Sequence, residues 1–389
     1  MKKKISILGS TGSIGLSSLK IINKKKSFFE IYLFSANKNF KLICNQIKIY
    51  KPKYFVISNY NVFKKVKRKF SQNRIIILNS FSDLKKIKKS DITITAIPGI
   101  DGLLPTVSMI KFSKKVLIAN KESIICGWDL IKKNSKTYNT KLIPIDSEHY
   151  SIFKVLEKNK ISEIKKIFLT ASGGPFLNYK LNKLKKVKFN DALRHPKWKM
   201  GKKISLDSST LMNKLFELVE AQKLFNISNE CLEIIIHPNS LVHAIIEFKN
   251  GFSFFVYHKT SMLIPISNAI FDGNINIENF YDDNKKNEIE SLTFKKVDSK
   301  IFPTIKLKNL INKYPSSPII INSSNEVLTS YFMREKIPFF GIFKTIMAIL
   351  NDRNYKKYAI RKPNNFKEII NIHNWAKKKT IEKINKLNA

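Results

Sequence analysis

Two carboxylates spaced two residues apart are the first candidates for chemistry in this 389-residue chain. Asp146 and Glu148 stand in the segment PIDSEH, which we expect to be extended. Alternate side chains of an extended chain point to the same side, and two hard oxygen donors on one side suit Mg²⁺ or Mn²⁺. The spacing predicts a divalent-cation site, although two such carboxylates are also common in solvated loops.

The longest segment whose residues could carry out chemistry reads RHPKWKMGKKISLDSSTLMNKLFE. We expect Asp207 or Ser208 to cap a helix. Asn213 and Glu217 would then lie one turn apart on that helix, with Lys214 on the same face. Such a face offers an amide, an ammonium group and a carboxylate to a ligand, or it is an ordinary surface Lys–Glu pair.

Two shorter segments each follow a predicted strand. ANKES (residues 119–123) begins at the carboxyl end of its strand, where open α/β sheets bind ligands. TASGGPF (residues 170–176) runs from a strand into a turn of small residues. Unhindered backbone and the hydroxyl of Ser172 could hold phosphate oxygens there, and a plain turn explains the segment equally well.

A glycine-rich loop connects the first predicted strand to an apolar-periodic helix. Gly9, Gly12 and Gly15 have the spacing G-x-x-G-x-x-G. Glycines at this position let the backbone approach a pyrophosphate and direct the helix N-terminus at it. The loop predicts a dinucleotide cofactor.

The end of the second strand indicates which dinucleotide binds. An NAD site usually offers a carboxylate to the ribose 2′-hydroxyl about 20 residues after the loop. Here the sequence reads Asn37-Lys38-Asn39 instead. A lysine between two amides favours the 2′-phosphate of NADPH, unless Lys38 is merely solvated.

The elements that carry these residues predict an α/β protein. We expect a Rossmann-like NADPH domain with a parallel sheet over residues 1–146 and an α/β catalytic and dimerisation domain over 147–278. A linker over 279–304 and a small C-terminal helical domain over 305–389 follow. The predicted strands are Lys4–Leu8, Ile31–Ser35, Tyr54–Ile57, Ile75–Leu78, Ile92–Ala96, Val116–Ala119 and Leu142–Ile145, with the second sheet formed by KIFLT, CLEIIIHP, LVHAIIEF and FSFFVYH.

The net charge of +42 does not by itself indicate a nucleic-acid-binding protein. Only six of the 71 basic residues are arginine, the preferred reader of bases and phosphates. Lys, Asn, Ile and Phe, which A/T-rich codons encode, are all abundant, so we interpret the charge as compositional and expect no specific nucleic-acid partner. Three widely spaced cysteines, no signal-peptide core and no membrane-length apolar run favour a cytoplasmic protein without a membrane partner.

Taken in order, the glycine loop, ANKES, PIDSEH, SGGPF and RHPxWxMGxKISxDSxTxMNK resemble the 1-deoxy-D-xylulose 5-phosphate reductoisomerase family over essentially the whole chain. The resemblance implies an NADPH-dependent oxidoreductase that rearranges a small phosphorylated sugar and reduces it to 2-C-methyl-D-erythritol 4-phosphate in isoprenoid biosynthesis. It also implies a homodimer and a divalent metal, Mg²⁺ or Mn²⁺, with Co²⁺ as a further candidate.

The resemblance implies a role for individual residues as well. Metal ligands would be Asp146, Glu148 and Glu217, and the catalytic group would add Lys121 and His195. Substrate contacts would come from Lys121, Ser147, Glu148, Ser172, His195, Trp198, Met200, Ser208, Asn213, Lys214 and Glu217. Trp198 and Met200 would belong to a flexible lid over about 173–201. NADPH contacts would come from Gly9, Ser10, Thr11, Gly12, Ser13, Ile14, Asn37, Lys38, Asn39, Asn120, Glu122 and Gly201.

Some positions depart from the family pattern. Leu215 stands where a glycine is usual, and Ser323 and Ser324 replace two alanines. Two other readings compete with this one. An NADPH-dependent semialdehyde dehydrogenase needs a nucleophilic cysteine, but Cys126 and Cys231 lie in no such motif. A basic nucleic-acid-binding protein with a vestigial dinucleotide domain needs a charged patch, whereas the lysines are spread over every predicted helix face.

Overall fold

The computed structural model describes residues 2–198, 201–280 and 291–388. The β-strands of this part of the chain are β1 (Lys3–Leu8), β2 (Phe29–Ala36), β3 (Tyr54–Ile57), β4 (Ile76–Leu78), β5 (Ser90–Thr95), β6 (Ser113–Ile118), β7 (Lys141–Pro144), β8 (Ile164–Ala171), β9 (Leu232–Ile236), β10 (Val242–Phe248), β11 (Ser253–Tyr257) and β12 (Lys295–Lys296).

The α-helices of the same residues are α1 (Ser13–Lys24), α2 (Phe40–Tyr50), α3 (Tyr60–Lys69), α4 (Leu103–Ile110), α5 (Lys121–Tyr138), α6 (Ser147–Leu156), α7 (Leu181–Leu184), α8 (Phe189–Ala192), α9 (Lys202–Ser209), α10 (Met212–Phe225), α11 (Leu263–Phe271), α12 (Ser317–Met333), α13 (Phe339–Leu350), α14 (Tyr355–Ala359) and α15 (Phe366–Asn388). None of them is long and apolar enough to span a membrane.

The chain forms two compact units, and the first comprises residues 2–123, 128–150 and 261–280 of the described chain. Its seven strands form one parallel sheet in the order β4-β3-β2-β1-β5-β6-β7. This confirms the predicted Rossmann-like sheet, and each strand lies within three residues of its predicted bounds. Most residues of these strands are buried, as expected for a parallel sheet covered by helices on both faces.

Helix α11 belongs to the first unit, although the predicted domain boundary assigns its sequence to the catalytic domain. Its apolar residues pack against this unit, with Phe271 edge-on to Phe29 at a ring separation of 5.6 Å. The ammonium group of Lys115 donates to the carbonyl of Ala269 at 2.9 Å and pairs with Asp272 at 2.8 Å. These contacts explain why the helix folds with strands that precede it by more than a hundred residues.

The second unit comprises residues 124–127, 151–198, 201–260 and 291–388 of the described chain. Its sheet has the order β11-β10-β8-β9-β12, in which β8 and β9 are parallel and the other pairs are antiparallel. The predicted second sheet is therefore confirmed. Within the predicted linker, however, β12 pairs with Ile235 and Ile236 of β9. Residues 281–290 of that linker lie outside the described chain.

Helices α12 to α15 form the expected C-terminal helical region. Helix α12 is buried along most of its length, and several of its polar side chains are hydrogen-bonded within the unit. The hydroxyl of Ser323 donates to the carbonyl of Ile319, and the oxygen lies 2.7 Å from Nδ1 of His373. Ser323 is therefore accommodated by a buried hydrogen-bond network in place of the expected alanine.

Candidate active site

The glycine loop of the first unit is held tightly against the sheet. Gly9 has a φ of +83°, which favours glycine, and α1 begins directly after Gly12. A Cβ atom on Gly15 would lie 2.4 Å from the carbonyl oxygen of Gly9. The third glycine therefore allows helix α1 to approach the loop closely, as a pyrophosphate site at a helix N-terminus requires.

Strand β2 fixes the first half of this loop. The backbone N–H groups of Gly9 and Ser10 donate to the carbonyl of Ser35 at 3.1 and 2.9 Å. The hydroxyl of Ser10 donates to Gln46 at 2.7 Å, so it points toward α2. Thr11 lies in the loop, and Ser13 and Ile14 begin α1, where the first N–H groups of a helix have no carbonyl partner within it.

The residues predicted to select the cofactor lie on the exposed turn after β2. Asn37, Lys38 and Asn39 are all exposed, and the side-chain oxygen of Asn39 caps α2 by accepting from the N–H of Leu42 at 3.1 Å. Lys38 therefore offers a positive charge in solvent next to a helix N-terminus, with no carboxylate between Ser35 and Asn39.

The ANKES segment caps a helix at the carboxyl end of β6, as expected. The side-chain oxygen of Asn120 accepts from the N–H of Ser123 at 2.5 Å, and its amide donates to the carbonyl of Gly99 at 3.0 Å. Glu122 lies in the first turn of α5 and is buried. Lys121, beside it, pairs with Asp146 at 2.8 Å between its ammonium nitrogen and a carboxylate oxygen.

The prediction that Asp146 and Glu148 share an extended segment is wrong. Strand β7 ends at Pro144 and α6 begins at Ser147, so Glu148 lies in the first turn of a helix. Both carboxylates nevertheless offer oxygen atoms that lie within 4.8 Å of one another. The hydroxyl of Ser147 donates to Glu148 at 2.6 Å. Two carboxylates this close favour a shared cation, and Lys121 supplies one positive charge.

In the second unit, Ser172 stands at the end of β8 and begins the turn that the sequence predicts. Gly173 and Gly174 both have positive φ, at 81° and 62°. The N–H of Gly174 donates to the hydroxyl oxygen of Ser172 at 3.0 Å. A Cβ atom on Gly174 would lie 3.1 Å from the carbonyl oxygen of Ser208, so this glycine lets the turn lie directly on α9.

His195 connects Ser172 to the segment that carries Trp198. Its Nε2 lies 2.9 Å from the Ser172 hydroxyl, and its Nδ1 accepts from the N–H groups of Lys197 and Trp198 at 3.2 and 2.9 Å. Because Nδ1 accepts, the proton of the neutral ring is on Nε2. Burial, and then the nearby charge of Lys214, lower the pKa of His195 to about 4. The ring is therefore neutral near pH 7.

Asp207 and Ser208 lie inside α9, so the prediction that one of them caps a helix is wrong. Helix α10 instead begins after Leu211, which has a φ of +63°. The buried carboxylate of Asp207 accepts from Lys203 at 3.0 Å and from the side-chain amide of Asn325 at 2.7 Å. Sequence reasoning missed this role of Asn325, which fixes α9 and its Ser208 from the C-terminal helical region.

Helix α10 places one amide, one ammonium group and one carboxylate on a single face, as predicted. The ammonium nitrogen of Lys214 lies 2.6 Å from Glu217, whose other carboxylate oxygen accepts from the amide of Asn213. Glu217 is almost fully buried at 1% exposure, which excludes an ordinary surface pair. Leu215 is also fully buried, so its extra bulk belongs to the core of the unit.

Trp198 lies half-buried with its indole edge-on to His243, at a ring separation of 6.1 Å. Met200, predicted to lie beside it, is outside the described residues, and Gly201 precedes α9. Sequence reasoning did not single out His243. No sequence pattern indicates it, because its position depends on the register shift between Val242 and Ala244 in the β10–β11 pair.

Strand β1 lies between β2 and β5 and leads into the glycine loop. This arrangement, in a chain with a second α/β unit, is typical of a dinucleotide-dependent oxidoreductase. Three family models match: 1-deoxy-D-xylulose 5-phosphate reductoisomerase over residues 5–127, its C-terminal domain over 142–225, and the DXP reductoisomerase C-terminal domain over 258–379. The chain belongs to the 1-deoxy-D-xylulose 5-phosphate reductoisomerase family.

Curated relatives extend this similarity over nearly the whole chain. The reductoisomerase of Pelagibacter ubique is 45% identical over 96% of this chain and 97% of its own length. That of Clostridium acetobutylicum is 37% identical over 90% of this chain and 92% of its own. Cys126, which the alternative dehydrogenase reading could use, is buried.

Solved structures agree with the sequence comparison. The reductoisomerase of Zymomonas mobilis in complex with NADPH has a TM-score of 0.87 and 28% identity, covering 99% of both chains. A reductoisomerase in complex with NADPH, fosmidomycin and magnesium has a TM-score of 0.91 and 28% identity, again covering 99% of both chains.

Proposed function

We propose that this chain rearranges 1-deoxy-D-xylulose 5-phosphate and reduces the resulting aldehyde with NADPH, giving 2-C-methyl-D-erythritol 4-phosphate. The observation that carries the proposal is the 45% identity over 96% of the chain. The matching family models include both the glycine loop and the residues around Ser172 and Glu217.

The glycine loop is the proposed binding site for the NADPH pyrophosphate. Two phosphates can come close to the glycine backbone at the start of α1. The N–H groups and the positive end of the helix dipole converge there. Lys38 would pair with the 2′-phosphate, and Asn37 and Asn39 would flank it. Gly201, Asn120 and Glu122 complete the proposed set of cofactor contacts.

The proposed ligands of the divalent cation are Asp146, Glu148 and Glu217. The donor chemistry fits Mg²⁺ or Mn²⁺, because Asp146 and Glu148 bring hard oxygen atoms within 4.8 Å of one another. When bound, such a cation polarises the substrate carbonyl and makes an adjacent hydroxyl easier to deprotonate. Lys121 and Ser147, bonded to these carboxylates, would hold the substrate hydroxyls.

We assign the substrate phosphate to a phosphate cluster formed by Ser172, His195, Ser208, Asn213 and Lys214. Three features support this assignment: a glycine turn at Ser172, a neutral His195 that donates from Nε2, and the charge of Lys214 close to His195. The Nε2–H of the neutral ring, which lies beside the Ser172 hydroxyl, would be the donor to a phosphate oxygen. Lys214 would divide its charge between the phosphate and Glu217.

The segment from Gly173 to Gly201 is the proposed lid. It opens with two glycines of positive φ and ends before α9, and Trp198 would cover the substrate carbon skeleton. Exclusion of water by such a segment would protect the aldehyde and strengthen the charge interactions around it.

We also propose a homodimer that forms in the cytoplasm and has no specific nucleic-acid partner. Strand β11 supports the dimer, since it is a sheet edge with Phe252, Phe254, Phe255 and Tyr257 all exposed. Exposed aromatic edge strands pair readily with another chain. Sedimentation of the purified protein tests this, and a monomer at micromolar concentration would contradict it.

The test of the reaction is oxidation of NADPH, followed by absorbance, on addition of 1-deoxy-D-xylulose 5-phosphate and Mg²⁺ or Mn²⁺. Turnover should stop when a chelator is added and return with excess metal. Absence of NADPH oxidation with either metal would refute the proposed function.

A further inference from the structure

Trp198 is held within the second unit at its backbone and at its ring. Its backbone N–H donates to Nδ1 of His195 at 2.9 Å. Its ring meets the imidazole of His243 at 6.1 Å with an interplanar angle of 80°. An edge-to-face pair at this separation is a favoured aromatic geometry, so His243 determines where the indole rests.

His243 is itself fixed by a second imidazole. The rings of His243 and His258 stack at 3.6 Å with an angle of only 12°. Nε2 of His243 lies 3.1 Å from the carbonyl oxygen of His258, and Nδ1 of His258 lies 2.8 Å from that of Lys259. Because carbonyl oxygens only accept, each imidazole must donate from the named nitrogen. The two donors set the orientation of both rings.

A strand irregularity brings His243 into this position. Val242 pairs with Tyr257 and Ala244 with Val256, so His243 is the extra residue of a bulge between β10 and β11. Bulges redirect a side chain and often occur next to active sites. Burial lowers the pKa of His258, which keeps the stacked pair free of like-charge repulsion near pH 7.

We propose that His243, supported by His258, is a positioning residue that holds Trp198 where this side chain covers the substrate. The inference rests on the proposed function of the lid. It adds His243, which contacts the indole, and His258, which contacts His243, and neither needs to contact the substrate. The ring of His243 makes the contact with the indole, and its stack on His258 holds this ring in place.

Three variants separate the ring from the hydrogen bond. His243→Ala removes both, His243→Gln keeps a donor without a ring, and His243→Phe keeps a ring without a donor. An edge-to-face pair changes binding by about two- to tenfold. We expect His243→Ala and His243→Gln to lower kcat/KM for 1-deoxy-D-xylulose 5-phosphate by this factor. His243→Phe should restore most of it, and KM for NADPH should stay within the experimental error of wild type.

Tyr358→Ala is the matched control, because it removes a ring stacked on Trp375 at 4.3 Å in the C-terminal helical region. This variant should leave both kinetic constants unchanged. Equal kinetics of His243→Ala and wild type would overturn the inference. So would equal impairment of His243→Phe and His243→Gln, because the hydrogen bond or the fold would then be responsible.

Fluorescence tests the contact without turnover. The chain has three tryptophans, so Trp128→Phe and Trp375→Phe together leave Trp198 as the single reporter. In this background, His243→Ala should shift the emission of Trp198 to longer wavelength, and His243→Phe should not. An unshifted emission in His243→Ala overturns the inference even if the protein proves inactive on this substrate, whereas inactivity of wild type alone refutes only the proposed function.

Discussion

Replacing Gly15 by alanine should destabilise the first unit far more than the same change at Gly12. A Cβ atom on residue 15 would lie 2.4 Å from the carbonyl oxygen of Gly9 and 2.7 Å from Cα of Ser10. On residue 12, the nearest atom would be the same carbonyl oxygen at 3.4 Å. Neither glycine has a positive φ, so the difference is one of space alone.

The atoms that obstruct residue 15 are backbone atoms, which cannot move by a rotamer change. Helix α1 and the glycine loop must therefore separate. Overpacking of this kind costs about 1–3 kcal/mol. Each kcal/mol lowers the melting temperature of a domain of 150–250 residues by roughly 2–4 °C, so Gly15→Ala should lower it by roughly 2–12 °C. Gly12→Ala should stay close to wild type.

Thermal denaturation with and without NADPH is the measurement. Gly15→Ala should melt earlier without ligand and gain little from NADPH, because the separated loop no longer fits a pyrophosphate. Gly12→Ala should melt like wild type without ligand and still lose part of the NADPH stabilisation, since it adds a methyl group at the N-cap of α1, where the pyrophosphate is proposed to bind. Identical melting curves for Gly15→Ala and wild type would refute the reasoning.

Three further predictions concern charge. Asp146→Asn and Glu217→Gln should each abolish metal-dependent turnover and leave NADPH binding, measured by titration, nearly intact; full activity of either in metal-free buffer would contradict the metal assignment. Lys38→Ala should remove one charge-assisted contact of about 1.5–3 kcal/mol and so weaken NADPH about tenfold to a hundredfold, with NADH unchanged. The lowered pKa of His195, about 4 against 6.5 in the unfolded chain, means that the unfolded chain binds the extra proton first. The free energy of unfolding should therefore be unaffected by this histidine above pH 6.5 and should decrease as the pH falls from 6.5 toward 4. His195→Asn should flatten the dependence of the urea midpoint on pH in this window.

Much of the first unit could be predicted because its strands can be recognised from the local sequence. Runs such as Ile92–Thr95 consist of β-branched residues and are buried on both faces, and each is followed by a helical period. The α10 face was predictable for a similar reason, since a helix fixes the spacing from Asn213 to Glu217 by its own geometry. A regular spacing of residues within one segment therefore predicts the helix or strand that this segment forms.

The wrong predictions all depend on where a helix or strand begins. The carboxylates of PIDSEH were predicted on extended chain, yet α6 begins at Ser147. Asp207 looks like a cap by residue type, but its carboxylate is bonded to Asn325, which lies 118 residues later. The His243–His258 stack depends on a one-residue bulge in strand register. No pattern within one segment specifies such long-range contacts.

Most lysines behind the net charge of +42 are expected to be solvated, and burial distinguishes a functional lysine from these. Lys188 and Glu335 form an ion pair with side chains 71% and 55% exposed, and such pairs contribute about 0–1 kcal/mol. Lys214 has a side chain only 10% exposed and lies 2.6 Å from Glu217, which is 2% exposed. Removing one partner of a buried pair costs about 3–5 kcal/mol, because the other charge stays buried without compensation. Solvated lysines can therefore accumulate at little cost, whereas at Lys214 the fold itself requires a cation, and that same cation is the one the substrate phosphate would meet.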